Sequence, residues 1–235
     1  MAEMSLVEAM STLRAVRRLK PDPIPDAVLR RVVQAAAWAP TGGNVQPWRV
    51  LLVRDAALRG GLGELYREPW ARYAAMSRKA IEALPTDRRD ATERTLVAGD
   101  YLAAHFHESP VIAVFCFNPA SMANTDAGLD RPSVVGGGSV YPSVQNFLLA
   151  ARAEGLGCVL TTLLCQREAQ VKTLLGIPPE WGTCAAVPLG YPLRRGHGPI
   201  SRRPIEKLAF ADRQGNDAIQ PTTTAARMRS SSAAR

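Results

Sequence analysis

The sequence predicts a single domain of mixed α and β class, α+β in type, and three observations lead to that prediction. Apolar side chains recur at helical spacing over residues 28–36, which predicts an amphipathic helix. The run Val111–Phe117 is apolar throughout, as in a strand that is covered on both faces. Helical and strand-like segments alternate, except over residues 56–107, where the pattern is helical only. A chain of 235 residues can bury one sizeable core.

The first quarter of the chain predicts two helices and a strand. A first helix spans about Ser5 to Arg14 and ends before the proline-rich segment Lys20–Pro25, which cannot continue it. Asp26 is placed as the N-cap of the second helix. Val50–Val53 follows as a strand.

The rest of the chain predicts a helical region followed by alternating elements. Residues 56–107 are charged and alanine-rich, with breaks near Gly60–Gly63 and Leu84–Pro85, so we expect two or three helices lying over the core. The later elements are, in order, a helix ending at Gly155, a strand over Cys158–Leu160, a helix over Glu168–Leu175 and a strand over Thr183–Leu189.

Composition and charge argue against several classes of function. No apolar run reaches the roughly 18 residues that span a bilayer, and Met1–Glu8 carries acids where a signal peptide is basic, so we expect a cytoplasmic protein with no membrane partner. The net charge is +8, yet the arginines are scattered and not interleaved with aromatic residues, so we expect no nucleic-acid partner.

The cysteines form no Cys-x-x-Cys pair and are expected to be buried free thiols. His105 and His107 are two residues apart and on a helix would point to different faces, so no metal site is expected.

The segment Ala39–Trp48 is the most informative stretch. It has the sequence Ala-Pro-Thr-Gly-Gly-Asn-Val-Gln-Pro-Trp and joins the second predicted helix to the first predicted strand. Thr41, Asn44 and Gln46 offer hydrogen-bonding groups, and the glycine pair lets the backbone approach a flat ligand closely. The alternative is an ordinary helix-to-strand connection.

Two pairs of arginines are candidates for binding an anion. Arg14 and Arg17 would share one face if the first helix continued to Arg17, and two guanidinium groups can grip one phosphate. Arg202 and Arg203 lie in an extended segment ahead of a proline. The alternative for both pairs is a solvated basic surface.

A threonine pair and two glycine-rich segments complete the candidates. Thr161 and Thr162 directly follow a predicted strand and can point into a site, although strand propensity alone also explains them. Gly61-x-Gly63 lacks the third glycine of a dinucleotide-binding turn. Gly136–Gly138 precedes a helix and could bind an anion there, with a flexible linker as the alternative.

In combination these segments resemble the FMN-dependent nitroreductase superfamily over roughly Met4–Phe210. The resemblance rests on motifs in the family's order: Arg14-x-x-Arg17, Ala39–Trp48, Gln145–Ala151, Gly155–Gly157 before the threonine pair, and Leu189–Pro192 with Arg202–Ile205. Residues 161–164, 174–178 and 187–192 are similar to the iodotyrosine deiodinase branch. The resemblance implies an antiparallel or mixed central sheet flanked by helices, in an intertwined homodimer with two FMN sites at the interface. We expect residues 1–210 to form this domain and residues 211–235 to be a disordered tail.

The resemblance also implies the residues that hold FMN and that act in catalysis. Those at the phosphate are Arg14, Arg17 and Arg202, with Arg203 as a further candidate and with Ala15 and Val16 between the first two. Those that edge the flavin from the other subunit are Pro40, Thr41, Gly42 and Asn44. Those along the isoalloxazine ring are Leu160, Thr161 and Thr162, with Thr162, or else Thr161, near N5. A hydrogen-bond donor at N5 tunes how the flavin passes electrons.

Substrate choice is assigned by the same resemblance to a lid over about residues 60–105. The implied substrate contacts are Gly43, Glu68, Trp70 and Tyr73. Deiodinases grip the amino-acid zwitterion with a glutamate, a tyrosine and a lysine, yet no lysine occurs here between Lys79 and Lys172. Ala15 stands where the branch that makes dimethylbenzimidazole has an aspartate. Both departures argue against those two activities.

The sequence therefore predicts an FMN-dependent oxidoreductase that uses NADH or NADPH. The expected acceptor is a flat, electron-poor small molecule, namely a nitroaromatic, a quinone or a halogenated phenol, reduced in a ping-pong cycle at the flavin. The alternative is a flavin-binding, flavin-storing or sensor protein on the same dimeric fold, without turnover.

Overall fold

A computed structural model describes residues 4–194 and 196–216. The chain divides into a main unit that ends at Pro199 and a second unit that begins at Ile200. Most of the predicted tail, residues 217–235, lies outside the described residues. Its predicted disorder therefore stays a prediction.

The main unit is built on a four-stranded sheet with strand order β1-β2-β4-β3. The strands are β1 Trp48–Val53, β2 Val111–Phe117, β3 Gly157–Cys158 and β4 Gly182–Gly190. All three neighbouring pairs are antiparallel, and the register of β2 against β4 shifts between Phe115 and Cys116. The predicted antiparallel or mixed sheet is confirmed, and β1, β2 and β4 lie at their expected places. The strand predicted over Cys158–Leu160 is shorter and begins earlier, because β3 comprises only Gly157 and Cys158.

Six α-helices accompany the sheet in the described part of the chain. They are α1 Leu6–Thr12, α2 Asp26–Ala37, α3 Ala56–Ile81, α4 Thr86–His105, α5 Tyr141–Ala153 and α6 Glu168–Leu175. The helical region 56–107 thus contains two long helices, as predicted. In the described residues, no helix is both long and apolar enough to cross a membrane.

Strand β2 is apolar throughout because helices cover both of its faces. Val111, Ala113 and Phe115 pack in one cluster with residues of α2 and α5, whereas Ile112 and Val114 pack in a second cluster with residues of α3. Successive side chains of a strand point to opposite faces, so both alternating sets must be apolar. Burying each large side chain contributes about 1.5–3 kcal/mol, which makes this strand the centre of the core.

Two predictions about the helix ends are wrong. Helix α1 ends at Thr12, because the following residues pair with the sheet instead: the Val16 N–H donates to the Cys158 carbonyl at 2.9 Å. Arg14 and Arg17 therefore do not share a helix face. Asp26 is the first residue of α2 rather than its N-cap, and its carboxylate pairs with Arg54 at 2.7 Å.

The predicted break at Gly60–Gly63 is also wrong, since α3 runs through it. Close packing explains these glycines: a Cβ on Gly61 would lie 2.8 Å from the Leu174 side chain, and one on Gly63 would lie 3.2 Å from His107 Cβ. These glycines let α3 approach its neighbours closely, although glycine has a lower helix propensity than alanine.

Gly60→Ala and Gly99→Ala form a matched pair of substitutions inside helices. A Cβ at Gly60 meets no atom within 4 Å, so we expect the free energy of unfolding to rise by about 0.5–1 kcal/mol through lower backbone entropy. A Cβ at Gly99 would overlap the Trp70 ring, so we expect the free energy of unfolding to fall. Urea denaturation followed by circular dichroism measures both changes. Equal changes would contradict the packing of Trp70 on α4.

Candidate active site

The predicted threonine pair lies beside a cavity of about 240 Å³ between the end of the sheet and α3. One wall is the segment Val159–Leu163, which follows β3. The other wall is formed by Tyr66, Trp70 and Tyr73 of α3, with Leu102 of α4. The cavity therefore has a strand end on one side and aromatic side chains on the other, an arrangement that suits a flat ligand.

The two threonines differ in what they contact. The Thr161 N–H donates to the Ala186 carbonyl at 2.9 Å, and the Ala186 N–H donates back at 2.8 Å. The Thr161 hydroxyl is buried and donates to the Tyr66 hydroxyl at 3.3 Å. Thr162 is exposed and lines both this cavity and an adjoining one of about 650 Å³. Of the two hydroxyls, that of Thr162 is the one a ligand can reach.

Tyr66 anchors the aromatic wall. Its ring stacks on Phe106 with centroids 4.4 Å apart, and its side chain is almost fully buried. Burial raises the pKa of Tyr66, against the opposing effects of the Thr161 hydrogen bond and the Arg17 charge. The phenol therefore stays protonated at neutral pH and serves as a fixed hydrogen-bonding group.

Arg17 is the charged residue of the cavity. Burial lowers the pKa of Arg17, while the nearby Tyr66 and Tyr73 act to raise it. An arginine remains a cation at neutral pH despite such a shift. Within the described part of the chain, no acidic side chain lines this cavity. A ligand that carries or develops negative charge would find a cation here.

Arg14 is placed differently from Arg17. It is exposed, and its Nη1 lies 3.7 Å from the position that a Cβ on Gly198 would occupy. Between the two arginines, Ala15 is exposed and Val16 is buried. Arg17 lines the cavity and Arg14 does not, so the two guanidinium groups lie in different surroundings.

The second arginine pair lies in the unit that begins at Ile200. Arg202 and Arg203 are both exposed, and Arg202 Nη1 donates to the Ser201 carbonyl at 2.8 Å. Their expected role at a phosphate, together with Arg14 and Arg17, stays a prediction.

The loop between α2 and β1 is a preformed turn. Gly43, Asn44 and Gln46 all have positive φ angles, of 57°, 55° and 52°. The Thr41 hydroxyl accepts from the Gln46 N–H at 3.0 Å, and the Gly42 N–H donates to the Ser139 hydroxyl at 3.1 Å. In the described residues, none of Pro40, Thr41, Gly42, Gly43 and Asn44 lines the cavity of its own chain. The expected contact of Pro40, Thr41, Gly42 and Asn44 with the flavin of another subunit, and that of Gly43 with the substrate, stay predictions.

The lid residues divide into two groups. Trp70 and Tyr73 line the cavity, as their expected substrate role requires. Glu68 does not line it; its carboxylate pairs with Arg167 and lies 3.8 Å from Arg72. These contacts link α3 to the turn after Thr162 and compete with any substrate ammonium group. The role of Glu68 in substrate binding stays a prediction.

The cysteines give a mixed result against the expectation of buried thiols. Cys116 and Cys158 are buried, whereas Cys165 and Cys184 are partly exposed and line the larger cavity. Burial raises the pKa of Cys184 to about 12. A thiol in that state is not a nucleophile at neutral pH, so these groups contribute apolar lining.

Some neighbours of the cavity were not predicted from the sequence. Leu102 and Asp100 of α4 lie far from every motif along the chain, and Asp100 accepts a hydrogen bond from the Trp70 indole at 2.9 Å. Tyr66, Trp70 and Tyr73 do follow an i, i+4, i+7 pattern, which places them on one helix face. That pattern is the local signal for the aromatic wall.

Comparison with known proteins gives the family context of this geometry. The sequence profile described as "Nitroreductase family" matches residues 12–191. An NADH dehydrogenase from Thermus thermophilus is 30% identical over 205 residues, which covers 84% of this chain and 91% of the relative. A 5,6-dimethylbenzimidazole synthase from Rhodospirillum rubrum is 30% identical over 208 residues, with 88% and 89% covered. A crystal structure of oxidized iodotyrosine deiodinase bound to FMN and 3-iodo-L-tyrosine superposes with a TM-score of 0.62 at 23% identity, covering 85% of this chain and 96% of that one.

Gly43→Ala and Gly42→Ala test the shape of the loop. The φ of 57° at Gly43 disfavours any residue with a Cβ, so we expect Gly43→Ala to lower the free energy of unfolding by about 1 kcal/mol. Gly42 has no positive φ, and a Cβ there makes an ordinary 3.7 Å contact with Ser139. Its alanine variant is therefore the control. Urea denaturation measures both, and the loop shape is contradicted if Gly42→Ala is the more destabilising change.

Proposed function

Because the chain belongs to the nitroreductase family, we propose that it takes hydride from NADH or NADPH and reduces a flat, electron-poor aromatic acceptor. Family membership makes it an FMN-dependent oxidoreductase. The acceptor class, which is a nitroaromatic, a quinone or a halogenated phenol, and the ping-pong order of the two half-reactions are our proposal.

The observation that carries the proposal is the cavity at Thr162. It joins a strand end, an aromatic wall and the cation of Arg17. Its volume of about 240 Å³ in one chain is below the roughly 300–1,000 Å³ of most ligand pockets. The adjoining cavity of about 650 Å³ shares Thr162, so a ligand over that residue has room on both sides. This donor set and shape fit a flat heteroaromatic cofactor.

The residues of the chain divide the work of holding FMN. The segment Leu160–Thr162 would support the ring. Because Arg17 lines the same cavity, we propose that it stabilises negative charge on the ring rather than on the phosphate, where the resemblance placed it. Arg14, with Arg202 and Arg203, would hold the phosphate through charge-assisted hydrogen bonds. Bound FMN supplies the hydride and electron chemistry, and the protein supplies binding, orientation and electrostatics. Thr162 would donate a hydrogen bond at the reacting edge of the ring.

A second copy of the chain would complete each site. The loop Pro40–Asn44 has a fixed shape but does not line the cavity of its own chain. A homodimer that brings this loop over the partner's cavity would enclose the ring from the open side. Excluding water there would strengthen the interaction of Arg17 with the ligand.

The acceptor class follows from what surrounds the cavity. Its lining is aromatic and aliphatic apart from Arg17 and the two threonines, which suits a flat ring. The Glu68 carboxylate is engaged by Arg72 and Arg167, so the cavity offers little to an amino-acid ammonium group. Ala15 provides no carboxylate between Arg14 and Arg17 for flavin fragmentation. These features favour a simple aromatic acceptor over iodotyrosine as the substrate, and they argue against fragmentation of the flavin.

An anaerobic reduction experiment tests this function. Purified protein is mixed with FMN, and its visible absorbance is recorded before and after NADH or NADPH is added. We expect FMN to bind, its absorbance to bleach, and the colour to return on addition of 1,4-benzoquinone or nitrobenzene. Bound FMN that no pyridine nucleotide bleaches would instead support a flavin-storing or sensor protein. A protein that binds no FMN would refute the cofactor.

Comparing FMN with riboflavin separates the roles of the two arginines. Arg14→Ala should weaken FMN binding by about 1.5–3 kcal/mol, the usual contribution of a hydrogen bond to a charged group, and leave riboflavin binding unchanged because riboflavin has no phosphate. Arg17→Ala should weaken the binding of both flavins, because Arg17 faces the ring cavity. Fluorescence titration measures the affinity of each of the two variants for FMN and for riboflavin. Arg18→Ala, at an exposed residue that stacks on Tyr101, is the control. Identical profiles for Arg14→Ala and Arg17→Ala would contradict this division.

A further inference from the structure

The Trp70 side chain lies at the edge of the cavity, where contacts with both α3 and α4 fix its orientation. Its indole N–H donates to Asp100 Oδ1 on α4 at 2.9 Å. Its ring lies 6.5 Å from that of Tyr66 at an interplanar angle of 14°, and 5.6 Å from that of Tyr73 at 43°. The indole thus forms the middle of the aromatic wall, with its polar edge turned toward α4.

Asp100 is itself fixed by α3. Arg78 Nη2 donates to Asp100 Oδ2 at 2.5 Å, and Arg78 Nε donates to Glu93 at 3.2 Å. Although burial acts to raise it, the hydrogen bonds from Arg78 and Trp70 hold the pKa of Asp100 below its ordinary value. The carboxylate therefore stays charged, and a charged acceptor makes the stronger hydrogen bond to the indole.

Gly99 supplies a third restraint on the indole. A Cβ at this position would overlap the six-membered ring of Trp70, so the indole rests directly on the backbone of α4. Packing, hydrogen bonding and an ion pair thus converge on one side chain that lines the cavity.

We propose that Asp100 is a positioning residue that fixes the Trp70 indole as a rigid wall for the aromatic acceptor. This inference rests on the proposed function. A surface held in its bound orientation loses less conformational entropy when a ligand stacks on it, so the ligand binds more tightly. The simpler view is that the Arg78–Asp100–Trp70 contacts only join α3 to α4. The two views differ in whether losing Asp100 changes acceptor binding through Trp70.

The first measurement requires neither cofactor nor turnover. The chain contains four tryptophans, so labelling with 5-fluorotryptophan gives four ¹⁹F signals, and Trp70→Phe identifies that of Trp70. We expect Asp100→Ala to shift and broaden this signal alone. Asp90→Ala removes an exposed carboxylate from the same helix and should leave it unchanged. An unaltered Trp70 signal in Asp100→Ala would overturn the proposed anchoring.

The second measurement is a double-mutant cycle in the FMN-loaded protein with 1,4-benzoquinone as acceptor. Asp100→Ala should raise the acceptor KM about five- to tenfold, the size of one lost hydrogen bond, with kcat unchanged. Asp100→Asn keeps an acceptor oxygen and should restore part of the loss. In the Trp70→Phe background, Asp100→Ala should change KM less than about twofold, because its effect acts through the indole.

The outcomes separate this inference from the proposed function. If the unaltered chain binds no FMN or reduces no acceptor, the proposed function fails, whatever the ¹⁹F signals show, and the acceptor-wall role falls with it. If the chain turns over but Asp100→Ala matches Asp90→Ala, or its effect is additive with that of Trp70→Phe, only the role of Asp100 is refuted. A lower melting temperature with an unchanged acceptor KM would likewise reduce Asp100 to a structural contact.

Discussion

The pairing of Thr161 with Ala186 is the constraint on which the candidate site depends. The chain leaves β3 after Cys158 and returns to the sheet at Thr161, where both backbone groups bond to Ala186 at 2.9 and 2.8 Å. Side chains alternate along an extended segment, so this contact turns the Thr161 hydroxyl toward Tyr66 and leaves Thr162 exposed between two cavities. A shift of one residue in this register would exchange the two hydroxyls.

The cavity lies at the edge of the hydrophobic core, and residues of α3 contribute both to the core and to the cavity wall. Tyr66 is buried and stacks on Phe106, whereas Tyr73, two turns later, is half exposed. The cavity wall is therefore a continuation of the hydrophobic core, held at its outer edge by the contacts of Trp70 with α4. Substitutions that disturb the packing of this wall will therefore affect both stability and ligand binding. A substitution that removes a single hydrogen bond and leaves the packing intact can affect ligand binding alone.

Much of the fold could be predicted because local patterns and packing agree. The continuous apolar run of β2 and the helical repeat of apolar residues in α2 predict buried elements, and the structure buries both. The end of α1 and the unbroken α3 could not be predicted, since the pairing of Val16 with Cys158 and the packing of Gly63 on His107 join segments far apart in sequence. The resemblance to nitroreductases identified the threonine pair and the arginines, but it could not tell that Arg14 and Arg17 face different surroundings. Asp100 has no local signal at all, because its role arises from an interhelical contact.

A crystal structure of the protein grown with FMN would test these roles in one measurement. We predict a ring seated against Leu160–Thr162, with the Arg17 guanidinium within hydrogen-bonding distance of the ring and the loop Pro40–Asn44 of a second copy across its open side. A ring bound elsewhere, such as beside Gly136–Gly138 with Arg17 free of contact to the flavin, would contradict it.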